Sequence, residues 1–86
     1  KIMVIKPLKP RLEKFLREHQ IVSKWGKTKQ LFEKDIRHPS LNTELLEPKW
    51  RAIYSFRLDK KYRALFFISK DGLAEVLQIT KHYKKS

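Results

Sequence analysis

The chain has 86 residues and carries a formal net charge of +12, from 21 Lys and Arg against 9 Asp and Glu. A chain this short makes one domain, residues 1–86, and buries roughly 60–65% of its unfolded surface, which leaves one core and little spare stability. With no cysteine, disulfides and cysteine-ligated metals are excluded, and 41% hydrophobic with 35% charged residues fits a folded domain better than a disordered one.

A domain this basic, with an isoelectric point near 10.2, usually meets a polyanion: nucleic acid, an acidic protein or an anionic membrane surface. The lysines are spread along the whole sequence, which predicts a folded basic face and not a detachable basic arm. No run of about 18 apolar residues and no signal-peptide pattern is visible, so the sequence predicts a cytoplasmic protein that does not enter a membrane. The chain opens on Lys1 and not on Met, which predicts a native beginning ahead of it.

In chain order, Ile2, Met3, Val4 and Ile5 form a short apolar run ended by Pro7, a first predicted strand. Leu8, Leu12, Phe15, Leu16 and His19 recur at helical spacing around the Pro10 start, with Arg11, Glu13, Lys14, Arg17 and Glu18 on the other side. A second helical pattern follows in Val22, Trp25, Lys29, Phe32 and Ile36, joined by Leu31. Gly26 weakens it by about 1 kcal/mol relative to alanine, and Pro39 is its expected stop.

Residues 38–49 carry Pro39 and Pro48 together with Ser40, Asn42 and Thr43, so they read as a structured loop, with Leu41, Leu45 and Leu46 as its anchors to the core. Residues 53–67, IYSFRLDKKYRALFF, alternate up to a charged turn at Asp59-Lys60-Lys61 and alternate again beyond it. That is the pattern of a hairpin. Asp71-Gly72 marks a second turn, and a last strand runs from about Leu73 to Lys81. The order strand, helix, helix, strand, strand, strand predicts an α+β fold: a small, mostly antiparallel sheet with both helices on one face.

Side-chain alternation then sorts the strand residues. Tyr54, Phe56 and Leu58 share one face, and Ser55 and Arg57 the other. If residues 58 and 62 lie opposite each other, Arg57 and Arg63 fall on one face, close enough to share a ligand. On the last strand, Leu77, Ile79, Lys81 and Tyr83 are expected over the helices, and Gln78, Thr80 and His82 on the open face with the arginines.

Two guanidinium groups offer forked donors suited to phosphate oxygens, and a histidine beside them moves protons near neutral pH. Together they predict a phosphodiester site that needs no metal. The opposing reading is plain surface chemistry: a solvated histidine, arginines paired to nearby Asp59, and solvated Glu44 and Glu47. His19 and His38 lack ligand spacing, which argues against zinc, and Gly26 and Gly72 form no phosphate loop. Trp25 is expected in the core; Trp50, just ahead of the hairpin, reads as core or as a base-stacking surface, with core the preferred reading.

The order HPSL (residues 38–41), SFRL (55–58), YRALF (62–66) and ITKHY (79–83) resembles the RelE/ParE superfamily of small bacterial and archaeal toxins from type II toxin–antitoxin pairs. The ending resembles the YoeB branch, whose members are ribosome-associated mRNA endonucleases ending in a His-Tyr pair. By position, the resemblance implies that Arg63 steadies the scissile phosphate, with Arg57 as a second basic contact. It implies that His82 protonates the leaving 5′-oxygen, Tyr83 orients substrate and Glu44 is the general base, with Glu47 its competitor. Lys49, Arg51, Lys60, Lys61, Lys81 and Lys84 are the expected substrate-binding cations, and no cofactor is expected.

The implied partners are mRNA, the ribosome and a cognate antitoxin in a hetero-oligomer. The alternatives are a ParE-like toxin that inhibits DNA gyrase by binding, or an inactive member that binds nucleic acid. Two departures stand out: residues 48–51 lack the family's glycine ahead of the hairpin, and three residues follow Tyr83 where the YoeB ending stops.

Overall fold

The computed structural model describes residues 2–81. Helices α1 (Pro10–Glu18) and α2 (Val22–Lys34) precede strands β1 (Glu44–Leu45), β2 (Tyr54–Arg57), β3 (Tyr62–Ile68) and β4 (Ala74–Lys81). The strands lie side by side in chain order, each antiparallel to the next. The result is a small α+β fold with the helices on one face of the sheet. No helix among the described residues is long and apolar enough to cross a membrane.

Helix α1 starts at Pro10, whose missing N–H is one the first turn leaves unpaired anyway. Leu12 and Leu16, one turn apart, are buried, and Phe15 joins them at the margin of the core. Helix α2 buries Trp25, Thr28 and Phe32, while Gly26 faces open space where its missing side chain leaves no hole. Contrary to expectation, Pro39 does not end this helix. It stops at Lys34, because Asp35 leaves the helical region and its carboxylate accepts the Arg37 N–H at 3.1 Å.

Between the layers, Phe32 of α2 meets Phe56 of β2 at 4.7 Å and Phe66 of β3 at 5.2 Å between ring centroids. All three rings are fully buried, each contributing about 1.5–3 kcal/mol through removal from water. Ala64, Val76 and Ile79 complete the sheet's inner surface.

The first predicted strand shrinks to a single parallel bridge between Ile5 and Ala74. Its bonds are Ala74 N–H to the Val4 carbonyl at 2.9 Å and Lys6 N–H to the Ala74 carbonyl at 2.8 Å. The Ile5 N–H is used elsewhere, donating to Glu33 Oε2 of α2 at 2.8 Å, and Pro7 has no N–H to extend the ladder. The loop in turn supplies a strand the alternation did not predict, β1. Leu41 anchors it at 1% exposure, whereas Leu45 is 39% exposed and no anchor.

Strand β4 departs from strict alternation. Leu65 pairs with Gln78 but Phe66 pairs with Val76, so Leu77 is the extra residue of a bulge. The bulge lets Val76 and Ile79 both point inward while Gln78 and Thr80 stay on the open face. Leu77 is only half-buried, and its carbonyl accepts Arg11 Nη2 at 2.8 Å, tying α1 to the sheet. The Asp71-Gly72 turn forms as expected, with Gly72 at φ +80°, where glycine carries no steric penalty.

Candidate active site on the open face of the sheet

The hairpin register is set at its turn. The Leu58 N–H donates to the Tyr62 carbonyl at 2.9 Å, and Arg57 stands opposite Arg63. Asp59 holds the turn by accepting the N–H groups of Lys61 at 2.7 Å and Tyr62 at 2.8 Å. Its other oxygen accepts Lys24 Nζ at 2.7 Å, so Asp59 pairs with α2 and not with either arginine. Partial burial pushes the Asp59 carboxyl up, but the Lys24 hydrogen bond and the two backbone N–H groups outweigh it and hold it below its ordinary value.

Cross-strand partners share a face, so the open face carries Glu44 beside Ser55, Arg57 beside Arg63, and Arg63 beside Thr80. Arg63 is 8% exposed and Ser55 is fully enclosed. The guanidinium donates to Ser55 Oγ twice, from Nε at 3.0 Å and from Nη2 at 2.8 Å. Nη2 also donates to the Asn42 carbonyl at 2.7 Å and lies 3.7 Å from Glu44 Oε2. A charge this enclosed is tolerable only because these acceptors replace its water.

The loop that supplies Asn42 explains the HPSL segment. His38 caps a 3₁₀ turn (Pro39–Leu41): its Nδ1 accepts the Ser40 N–H at 3.2 Å, and Pro39 takes the first helical position. Leu41 plugs into the core, and Asn42 then adopts the left-handed conformation at φ 45°, which asparagine tolerates better than most residues. That turn aims the Asn42 carbonyl at Arg63. Ser55 and Asn42 are thus the supports that sequence reasoning missed. The available signals were a serine on the arginine face of a strand and an asparagine just past a helical turn.

Arg57 is exposed, and among the described residues no carboxylate lies within ion-pair distance of it. Glu44 is the glutamate next to Arg63; Glu47 is exposed and lines a groove with Arg51 and Leu65. Lys60 and Lys61 sit exposed in the hairpin turn. Lys81 pairs with Tyr62, whose ring is buried on the helix side, so Lys81 belongs to the opposite face from Arg63. His82, Tyr83 and Lys84 lie outside the described residues.

Lys49 and Arg51 belong to a second 3₁₀ turn (Lys49–Arg51) with no buried residue. Trp50 lies between them and is 84% exposed, against the expectation of a core position. The turn closes ahead of β2 through Arg51 N–H to Pro48 O at 3.1 Å and Ala52 N–H to Lys49 O at 3.0 Å. The inward side chains start only afterwards, at Tyr54 and Phe56. Ala52 takes φ 54° there, a left-handed position where a glycine would sit without penalty.

Chemically, the open face joins a carboxylate able to accept a proton to two guanidinium groups able to hold a phosphate. A larger cavity of about 680 Å³ is lined by Met3, Ile36, Tyr54, Phe66 and Ile68 on its apolar side and by Arg37, His38, Asn42 and Thr43 from the loop that supports Arg63. Its lining has no carboxylate among the described residues. Among the described residues, no three His, Asp or Glu side chains are placed to hold a metal ion. A scan against protein-family models finds no match, and a search of curated proteins finds none either.

Proposed function

We propose that this chain is a RelE/ParE-like toxin of a type II toxin–antitoxin system, an mRNA endonuclease acting on translating ribosomes in the cytoplasm. The observation that carries the reading is the approach of Glu44 to within 3.7 Å of Arg63 on the open face, with Arg57 opposite. The order of the HPSL, SFRL, YRALF and ITKHY segments supports it. So does the charge of +12, which suits RNA and an acidic antitoxin alike.

In the proposed reaction, Glu44 takes the proton of an RNA 2′-hydroxyl, whose oxygen attacks the adjacent 3′ phosphate. The P–O5′ bond breaks, leaving a 2′,3′-cyclic phosphate and a 5′-hydroxyl. Arg63 and Arg57 hold the phosphate oxygens as negative charge builds, the setting in which fixed donors contribute most. By the resemblance, His82 protonates the leaving 5′-oxygen and Tyr83 orients the strand.

A cell-free translation extract tests the reading. Abrupt arrest with mRNA cut within the ribosomal A site is expected. Intact mRNA together with blocked DNA supercoiling would replace it with gyrase inhibition.

A further inference from the structure

The 3₁₀ turn ahead of β2 holds the most exposed aromatic side chain among the described residues, Trp50 at 84%. A large ring left in water is a contact looking for a partner, and its neighbours in the chain are two exposed cations, Lys49 and Arg51. The turn also borders the proposed active site. Arg51 lines a groove of about 210 Å³ with Leu46, Glu47, Pro48, Ile53 and Leu65. Leu65 lies on the open face of β3 two residues beyond Arg63, a step of about 6.6 Å along the strand.

We propose that Trp50, Arg51 and Leu65 form a base-binding subsite for single-stranded RNA, taking a base that flanks the phosphate held by Arg57 and Arg63. The inference rests on the reading of the open face as an RNA-cleaving site. Trp50 offers a face on which a base stacks, Lys49 and Arg51 follow the backbone, and the Leu65 groove gives the strand an apolar floor. Alternating aromatic and cationic side chains beside a phosphate site suit a single strand, since every base has a stacking face. A duplex keeps its bases inside and would leave Trp50 in water. Glu47, at the groove edge, repels phosphate and so favours a base there over the backbone.

The test is titration of the full chain with a short, dye-labelled single-stranded 2′-O-methyl RNA, which lacks the attacking hydroxyl and is bound without being cut, with affinity read from the dye's anisotropy in every variant. Buried Trp25 is shielded from acrylamide, so the acrylamide-accessible fluorescence is that of Trp50. Bound RNA should quench and protect this signal. Trp50→Ala should weaken binding about 5- to 150-fold, the range for loss of one stacked base, and leave the salt dependence unchanged because no phosphate contact is lost. Trp50→Phe should keep most of the affinity.

RNA that binds through Arg57 with wild-type affinity in Trp50→Ala would overturn the subsite and spare the cleavage site. No binding of the RNA by the free chain would overturn the subsite, while the chemistry of mRNA ends cut on translating ribosomes judges the cleavage site separately. Quenching of Trp50 by an acidic protein partner but not by RNA would assign the turn to protein recognition and overturn the subsite.

Discussion

Arg57 and Arg63 stand directly opposite each other across β2 and β3, yet they are held in contrasting ways. Arg63 is enclosed and bonded to Ser55 and Asn42, while Arg57 stands in solvent with no carboxylate near it among the described residues. Like charges directly opposite on a sheet destabilise it by about 0.2–1 kcal/mol. The fold therefore bears a small cost at this pair.

Removing the exposed member should separate stability from function. Arg57→Gln is expected to raise stability by a few tenths of a kcal/mol, within about 0.2–1 kcal/mol, while lowering RNA cleavage. The salt slope of RNA binding should fall by about 0.7, the value for one phosphate contact on a single strand. Urea denaturation and binding at several salt concentrations read the two effects separately. A destabilised variant with full cleavage would make Arg57 a structural residue.

Ser55 is predicted to matter through Arg63. Ser55→Ala removes the buried oxygen that accepts Nε and Nη2, which should cost about 1–3 kcal/mol for a charged donor left short of a partner. Cleavage should fall more than affinity, because a loosened guanidinium still attracts phosphate but no longer aims at it. Ser55→Thr, which keeps the hydroxyl, should restore part of both. Equilibrium unfolding and single-turnover cleavage measure the split.

Much of this arrangement was legible beforehand, and the reasons are local. The alternation of residues 53–67 around Asp59-Lys60-Lys61 fixed which side chains share a face, so the Arg57–Arg63 pairing could be read from parity. Glu44 followed only from its match to the resembled family's glutamate position; its place beside Arg63 comes from β1, which pairs it with Ser55. Parity failed at Leu77, since a bulge adds one residue and nothing in the local pattern marks it. Trp50 reads from the sequence as core or as a base-stacking surface with core preferred, because the turn that exposes it has no strong sequence signal. The supports of Arg63 were hidden for a different reason. Asn42 contributes a backbone carbonyl, which any residue has, and only the loop's conformation aims it.

Asp59 gives a pH signature independent of the active site. Its folded pKa lies below the ordinary value of 3.8, so its contribution to stability is fully present above that value. It is lost as pH falls through the lowered folded value. Asp59→Asn should therefore be less stable than the parent at neutral pH, by about 1 kcal/mol for a partly exposed ion pair with turn hydrogen bonds. The difference should hold down to about pH 4 and shrink below it. Paired denaturation curves from neutral to acid pH check this, and a constant difference across the range would remove Asp59's charge from the account.

The most direct measurement is the chemistry of the cut ends on translated mRNA, compared between the parent chain and Glu44→Gln. The parent should leave a 5′-hydroxyl and a 2′,3′-cyclic phosphate. The variant keeps the side chain's shape but cannot take the proton, and should cleave about 10²–10⁴-fold more slowly with unchanged folding. Ends bearing a 5′-phosphate, or a Glu44→Gln chain that cuts at the parent rate, would contradict the assignment of the open face as a 2′-hydroxyl-driven nuclease.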